Sequence, residues 1–357
     1  MIDNTNGLAA ILPALRAAPW LAVDTEADSL HAYPEKLCLI QISFPGADLL
    51  IDPLASLDLT PLWQTLAGRE LIFHGADYDL RLLRRGPGFV PARVFDTMLA
   101  ARLVGIKQFS LGDLVHRFLG ITLEKSSQKA NWALRPLSPR MLAYAVNDTR
   151  HLKPVADALH GQLIALDRMA WHEQACAQLV ADCAQPRVTN HDEAWRLKGA
   201  DRLSRRGLAV LRELWRWREH EAVNANRPPF FVIAHDKLLA LAAEASEGRG
   251  VDNLVPPRLS PHRRHGLHRA IERALALTEE HWPQPRRHHN GRFTLAQRKR
   301  IEELHGQRDR HAAQLGLDPT LIASRATLSL LAQDWDTHAK DLLPWQRQLL
   351  ESSTTQG

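Results

Sequence analysis

Cysteine is scarce in this chain. Its 357 residues include three, Cys38, Cys176 and Cys183, and no Cys-x-x-Cys pair. That excludes a disulfide-stapled miniprotein and a cysteine-based zinc ribbon, and it fits a reducing compartment. Long apolar runs are missing too, and nothing approaches the roughly 20 residues that a membrane-spanning helix needs. No basic leader is visible: Asp3 stands where positive charge is expected, and Pro13 and Arg16 interrupt the early apolar run. The expected location is therefore the cytoplasm, with no membrane partner. Glycine (19) and proline (21) are too few for a collagen-like or low-complexity chain. What remains is ordinary soluble globular composition, 45% hydrophobic and 24% charged, at a length that suggests two or three domains.

Charge is unevenly spread. Residues 1–180 carry 17 Lys+Arg against 18 Asp+Glu, and the remainder carries 28 against 22. A basic excess confined to one half is an electrostatic footprint for nucleic acid, or else a set of solvated arginine-rich helical faces.

The first 75 residues predict strands at Trp20–Glu26, Leu37–Phe44, Asp48–Asp52 and Glu70–His74. The first three are joined by short links that suggest an antiparallel meander. Helical stretches follow at Ser56–Ala67 and Asp77–Leu83. Strand, helix and strand in succession require a crossover, so the sheet is expected to be mixed. From about Thr97 the pattern is helical. Ser138-Pro139 supplies an N-cap and a first-turn proline, and residues 140–180 run on with helical periodicity. Composition shifts near Gln185-Pro186-Arg187, where a domain boundary is expected. Leu208, Leu211, Trp215 and Ala222 mark one side of a further helix. Residues 249–266 and 281–292 read as loops, which makes the histidines at 262, 265, 268, 281, 288 and 289 linker residues rather than ligands. A last helical region spans roughly Thr294–Leu350.

Asp24 and Glu26 end the first strand two residues apart, so both carboxylates face the same way. Neighbouring acids repel, burial makes this worse, and a hard cation such as Mg²⁺ or Mn²⁺ relieves it. Taken alone, the pair also reads as solvated strand-end acids. His74-Gly75-Ala76-Asp77-Tyr78-Asp79 follows the fourth strand, at a strand end where α/β folds place functional groups. Asp79 is the candidate for the crevice; Asp77 competes with it, or else complements a helix dipole. His74 is a candidate ligand or a hydrogen-bonded structural histidine. Tyr144 and Asp148, four apart, share one helical face.

Together these residues resemble the DEDD exonuclease superfamily in its tyrosine-containing branch. Val23-Asp24-Thr25-Glu26, His74 to Asp79 and Tyr144-Ala145-Val146-Asn147-Asp148 fit its three motifs. Phe95-Asp96-Thr97 and Lys125-Ser126-Ser127-Gln128…Asn131-Trp132…Arg135-Pro136-Leu137 resemble signatures of the ribonuclease D family. Residues 194–243, with Arg227-Pro228-Pro229-Phe230-Phe231-Val232-Ile233, resemble an HRDC domain. Residues 292–350, with Asp318 to Arg325, look like a more divergent copy. Asp77 adds an acid that such a second motif does not require.

The resemblance implies an RNase H-like α/β exonuclease domain, a mixed sheet flanked by helices, over residues 1–185. Two all-α HRDC-like domains would follow, at 186–280 and 290–357. It implies a 3′→5′ exoribonuclease that uses two divalent cations, Mg²⁺ or Mn²⁺. Asp24, Glu26, Asp79 and Asp148 would hold the ions, and Tyr144 would orient the attacking water or help deprotonate it, with orientation favoured because a free phenol has a pKa of about 10. RNA is the implied partner, particularly tRNA precursors or other structured 3′ ends, and a monomer is expected. Lys125, Lys129 and Arg135 are candidate phosphate contacts or a solvated basic loop; Trp132 is a base-stacking candidate or a core anchor. Arg212, Arg216 and Arg218 are candidate contacts to the RNA backbone. Gln41 and Phe44 are expected to be structural. A DNA-directed exonuclease and a non-catalytic RNA-binding scaffold are the competing readings.

Overall fold

The computed structural model of the chain describes residues 1–124, 127–185, 193–285 and 293–351. These form two compact units. One comprises the described residues within 1–26, 37–186 and 292–357, the other those within 27–36 and 187–291.

The first unit is built on a five-stranded sheet of order β3-β2-β1-β4-β5. The strands are β1 (Leu21–Ala27), β2 (Leu37–Phe44), β3 (Ala47–Ile51), β4 (Glu70–Phe73) and β5 (Arg93–Asp96). β2 and β3 make an antiparallel hairpin, with Ile40 opposite Ile51 and Phe44 opposite Ala47. Gly46 takes a φ of 83° at its turn, a conformation that glycine adopts without strain. β1 pairs parallel with β4, and β4 parallel with β5, so the sheet is mixed. β1 is central because both its faces are apolar. Leu21 and Val23 pack with Ile40 and Leu71, while Ala22 packs with Ile72 and Phe95.

The first helix, α1 (Thr5–Ala17), is one that the sequence pattern does not predict. Asn4 caps it by accepting from the Gly7 amide, and Leu8, Leu12 and Leu15 form its buried stripe. Pro13 lies on the exposed side, where water can satisfy the carbonyl that it leaves unbonded. Next come α2 (Thr60–Ala67), α3 (Asp77–Arg85), α4 (Thr97–Leu103) and α5 (Leu111–Leu119). The continuous periodicity over 140–180 resolves into α6 (Pro139–Arg150), α7 (Leu152–Ala165) and α8 (Met169–Ala184), with Asp167 at positive φ between the last two.

The second unit holds α9 (Arg205–Ala225), α10 (Pro229–Val232), α11 (His235–Ser246) and α12 (Pro261–Leu275). Leu208, Leu211, Leu214, Leu238, Leu241, Leu267 and Ile271 share its core. α12 corrects the end of the loop expected across 249–266: residues 249–260 are irregular as expected, and the helix begins at Pro261. The Ser260 side chain accepts from the Arg263 amide, Pro261 opens the first turn, and Leu267, Ala270, Ile271 and Ala274 are buried. His262, His265 and His268 thus lie on a helix, not a linker, while His288 and His289 lie outside the described residues.

Chain order and packing part company at the end. The helices α13 (Leu295–Leu315), α14 (Pro319–Ile322), α15 (Arg325–Gln333), α16 (Trp335–His338) and α17 (Pro344–Glu351) belong to the first unit. Leu304, Ile322, Leu328 and Trp345 join Phe95, Ala100, Leu152 and Leu159 in one apolar cluster. Trp171 and Trp345 stack with ring centroids 4.7 Å apart. The buried Arg168 guanidinium donates to the carbonyls of Leu103 and Leu315, each at 2.7 Å. Among the described residues, no helix is long and apolar enough to cross a membrane.

Candidate active site

β1 carries Asp24 and Glu26 to the edge of the sheet's buried region, and α6 brings Tyr144 and Asp148 to the same place. The register of α6 follows from its cap: the Ser138 hydroxyl accepts from the Met141 amide and Pro139 fills the first turn. Ala145 and Thr149 are then buried. Thr149 meets Ser43 of β2 at 2.7 Å between hydroxyls, which fixes the helix against the sheet. As a result Asp24, Glu26 and Asp148 each offer a carboxylate oxygen within 4.8 Å of the others.

Asp79 arrives from α3. It is buried, and its Oδ1 accepts from the Thr25 amide at 3.1 Å and the Thr25 hydroxyl at 2.5 Å. Thr25, placed between the two β1 acids, therefore ties Asp79 to that strand. Sequence reasoning gives Thr25 no role; its only signal is its place inside the first motif. Asp77 points elsewhere, forming a solvent-side ion pair with Arg81 at 2.8 Å. The competition between the two acids is resolved by the helix: Asp79 faces inward and Asp77 outward.

The turn that delivers α3 is held by Asp96. Its carboxylate accepts from the amides of Gly75 and Ala76, and it also caps α4 through Met98 and Leu99. Gly75 has a φ of 70°, and a Cβ there would lie 2.6 Å from Met98 Cε. His74 is structural. Its Nδ1 donates to the Thr97 hydroxyl at 2.9 Å, because that hydroxyl itself donates to the Phe73 carbonyl.

The electrostatics are those of an acid cluster with no counter-charge among the described residues. Burial, then Asp79, Asp148 and Glu26, hold the Asp24 carboxyl well above its usual range. Glu26 is pushed to about 9 by burial and by Asp148 and Asp79. Asp79 rises to about 7 through burial, against the opposing hydrogen bonds from Thr25. Asp148 also rises to about 7 through burial, against a hydrogen bond donated by Tyr144. The Tyr144 phenol is raised by burial and by the neighbouring carboxylates. Hard oxygens, crowded and destabilised as anions, are the donor set a divalent cation relieves.

The residues expected to touch nucleic acid fare differently. Trp132 is 1% exposed and packs beside Tyr144, with ring centroids 6.0 Å apart. It has no free face for a base, so it is a core anchor. Arg135 is also corrected. Its guanidinium forks onto both Asp52 oxygens at 2.5 and 2.6 Å and donates to the carbonyls of Cys38, Trp132 and Leu134. No donor is left over for a phosphate. This pair fixes the segment leading into α6. Lys129 is exposed, and Lys125 lies outside the described residues. In the second unit, Arg216 is exposed and bonded to Glu213 at 2.8 Å. Arg212 is half-buried, 3.7 Å from Glu213 and 3.5 Å from the His281 carbonyl. Arg218 is buried against Glu219, which removes it from the backbone contacts expected of it.

Residues 1–164 match the family model described as 3′-5′ exonuclease, and residues 207–249 match that of the HRDC domain. The chain is similar to ribonuclease D of Zymomonas mobilis, with 35% identity over 80% of this chain and 75% of that protein. It is 28% identical to ribonuclease D of Desulfotalea psychrophila over 98% of this chain and 96% of the relative. Among solved structures it resembles Escherichia coli RNase D, described as an exoribonuclease involved in structured RNA processing. The TM-score is 0.76 at 26% identity, covering 100% of this chain and 99% of that one.

Proposed function

The chain belongs to the ribonuclease D family and is a 3′→5′ exoribonuclease, and from that premise we propose how its residues divide the work. The observation that carries the reading is the convergence of Asp24, Glu26 and Asp148 oxygens within 4.8 Å, beside a tyrosine hydrogen-bonded to Asp148. Asp24, Glu26, Asp148 and Asp79 are the side chains suited to hold two divalent cations, Mg²⁺ or Mn²⁺. Such ions supply Lewis acidity and lower the pKa of bound water.

The protein's own contribution is orientation. The upward shift of the Tyr144 phenol keeps it protonated at neutral pH, so it is not the base; its one O–H donates to Asp148, and its oxygen is left to accept from the attacking water and orient it. Trp132, packed beside it, restricts the ring. Water adds to phosphorus of the last phosphodiester, the bond to the 3′-oxygen breaks, and a nucleoside 5′-monophosphate leaves. Lys129 and Arg216, both exposed, remain candidates to touch the RNA backbone. The substrate is a structured RNA 3′ end such as that of a tRNA precursor, handled by a cytoplasmic monomer. Residues 1–185 act as the nuclease domain, 186–280 as an HRDC domain and 290–357 as a divergent HRDC-like module.

The test is a time course on 5′-labelled single-stranded RNA and matched DNA in Mg²⁺, Mn²⁺ or EDTA, with Asp148→Asn alongside. The expected result is a metal-dependent ladder shortening from the 3′ end of RNA and absent in the variant. Internal cuts, or shortening that survives EDTA, overturn the reading.

A further inference from the structure

A cavity of about 530 Å³ opens within the first unit, between the end of α4 with the segment after it and the junction of α13 with α14. Its volume lies in the range of about 300–1,000 Å³ typical of small-molecule sites. It is lined by Arg102, Lys107, Phe109, Asp318, Pro319 and Leu321, among others. Gly105 lies close against the Gly316 carbonyl, where a Cβ would come within 2.6 Å, so the two walls approach at a point where only glycine fits.

Two observations say what it would take. Arg102 and Lys107 have no ion pair or side-chain hydrogen bond to any described residue; the Arg102 guanidinium only lies over the Phe109 ring, at 5.6 Å. The one acid among the described lining residues, Asp318, is already committed. Its Oδ1 accepts from the Thr320 amide at 2.8 Å and hydroxyl at 2.6 Å as the cap of α14. Those hydrogen bonds, and more weakly the Arg102 charge, hold its carboxyl below the usual range, so it stays an anion without pairing to Arg102. The cavity thus presents two unpaired cations beside a wall of Phe109, Pro319 and Leu321. An anionic group matches the cations, and a flat apolar group matches the wall.

We propose that this cavity is a nucleotide subsite, separate from the carboxylate cluster, taking a phosphate at Arg102 and Lys107 and a base against Phe109, Pro319 and Leu321. A nucleotide within an RNA chain and a free nucleoside 5′-monophosphate share this chemistry. The inference rests on the chain being an RNA-processing enzyme, but its test does not depend on turnover.

Binding is measured in EDTA on the full chain carrying Asp148→Asn, with a 12-nucleotide single-stranded RNA and with 5′-AMP. Each is compared before and after adding Arg102→Glu with Lys107→Glu. Weakening of RNA binding by about tenfold or more, with the salt slope reduced by about 0.7 for each phosphate no longer neutralised, assigns the subsite to the polymer. Weakening of 5′-AMP binding alone assigns it to the free nucleotide. Unchanged affinity for both, in a variant whose melting temperature matches its parent, overturns the proposal. Phe109→Leu keeps the charges and guards against misfolding of the double variant. Several-fold weaker binding at an unchanged salt slope is expected, and no change counts against the site. The gel time course on the wild type runs separately. A missing ladder with intact subsite effects indicts the nuclease reading, and a normal ladder without them indicts only the subsite.

Discussion

At the end of β1, carboxylates crowd together and every pKa moves upward, because no cation among the described residues neutralises them. On α9, charge density is also high, yet each arginine has found an acid or a carbonyl. Arg216 has Glu213, Arg218 has Glu219, and Arg212 lies between Glu213 and the His281 carbonyl. The contrast teaches that density of charge is a poor marker of a ligand site. A charge left uncompensated, at a desolvation penalty, is a better one, because the folded chain retains it only where something else completes it.

The largest break in this contrast comes from the acids. Asp24→Ala or Asp148→Asn is expected to lower single-turnover RNA cleavage by on the order of 10³-fold or more, with folding intact. Arg216→Ala, at the compensated surface, belongs at the other end of the scale. Tyr144→Phe comes next, at about 10²-fold in cleavage rate. Because the residue orients water and is not a metal ligand, divalent-cation binding should survive the substitution, as titration calorimetry would show.

Arg135→Ala tests compensation directly. It strands Asp52, which the fork holds below the usual carboxylate range, and should cost on the order of 3 kcal/mol in denaturant unfolding of the first unit. RNA affinity per folded molecule should hardly change, which a phosphate-binding role would not allow.

A smaller effect is pH dependence in EDTA. The acids of the cluster bind protons more tightly folded than unfolded, so stability from them is full below the ordinary carboxylate range. It is lost as pH rises through about 7 for Asp79 and Asp148 and about 9 for Glu26. His74 and His172, whose folded pKa values are lowered, act only below their usual range, and Asp79 and Asp148 have lost most of their contribution by pH 7, so pH 7–9 reports chiefly Glu26 and Asp24. The melting temperature should fall across that window by about 2–4 °C for each kcal/mol lost. A divalent cation should remove the slope and Asp148→Asn should shrink it. Smallest of all, Arg216→Ala should shift stability by within about 0.5 kcal/mol and RNA affinity by a few-fold.

Local periodicity made much of this legible. Alternation placed Asp24 and Glu26 on one face, and Tyr144 with Asp148 needed only helical spacing and the Ser138-Pro139 cap. The same signal, Ser260-Pro261, opens α12, but the polar run His262-Arg263-Arg264-His265 hid its apolar positions. α1 was hidden by Pro13, whose cost depends on which side of the helix faces water. β5 is four residues long and exists through its pairing with β4, which no local pattern records. The role of Arg135, and the choice between core anchor and stacking surface for Trp132, are equally out of reach of local pattern. Asp52 lies 83 residues before Arg135, and a basic or aromatic side chain looks the same in sequence whether or not its partner is already inside the fold.

The core shared by Phe95, Leu159 and Trp345 sets a schedule for synthesis. α8 leaves the ribosome roughly 170 residues before α17, an interval on the order of ten to thirty seconds at about 5–20 residues per second. Through that interval the sheet and α7 stand with one flank bare, while the intervening helical unit is made and can fold. A nascent chain stalled before Leu295, or a gene shortened there, therefore yields an adhesive intermediate in need of a chaperone, not a smaller nuclease.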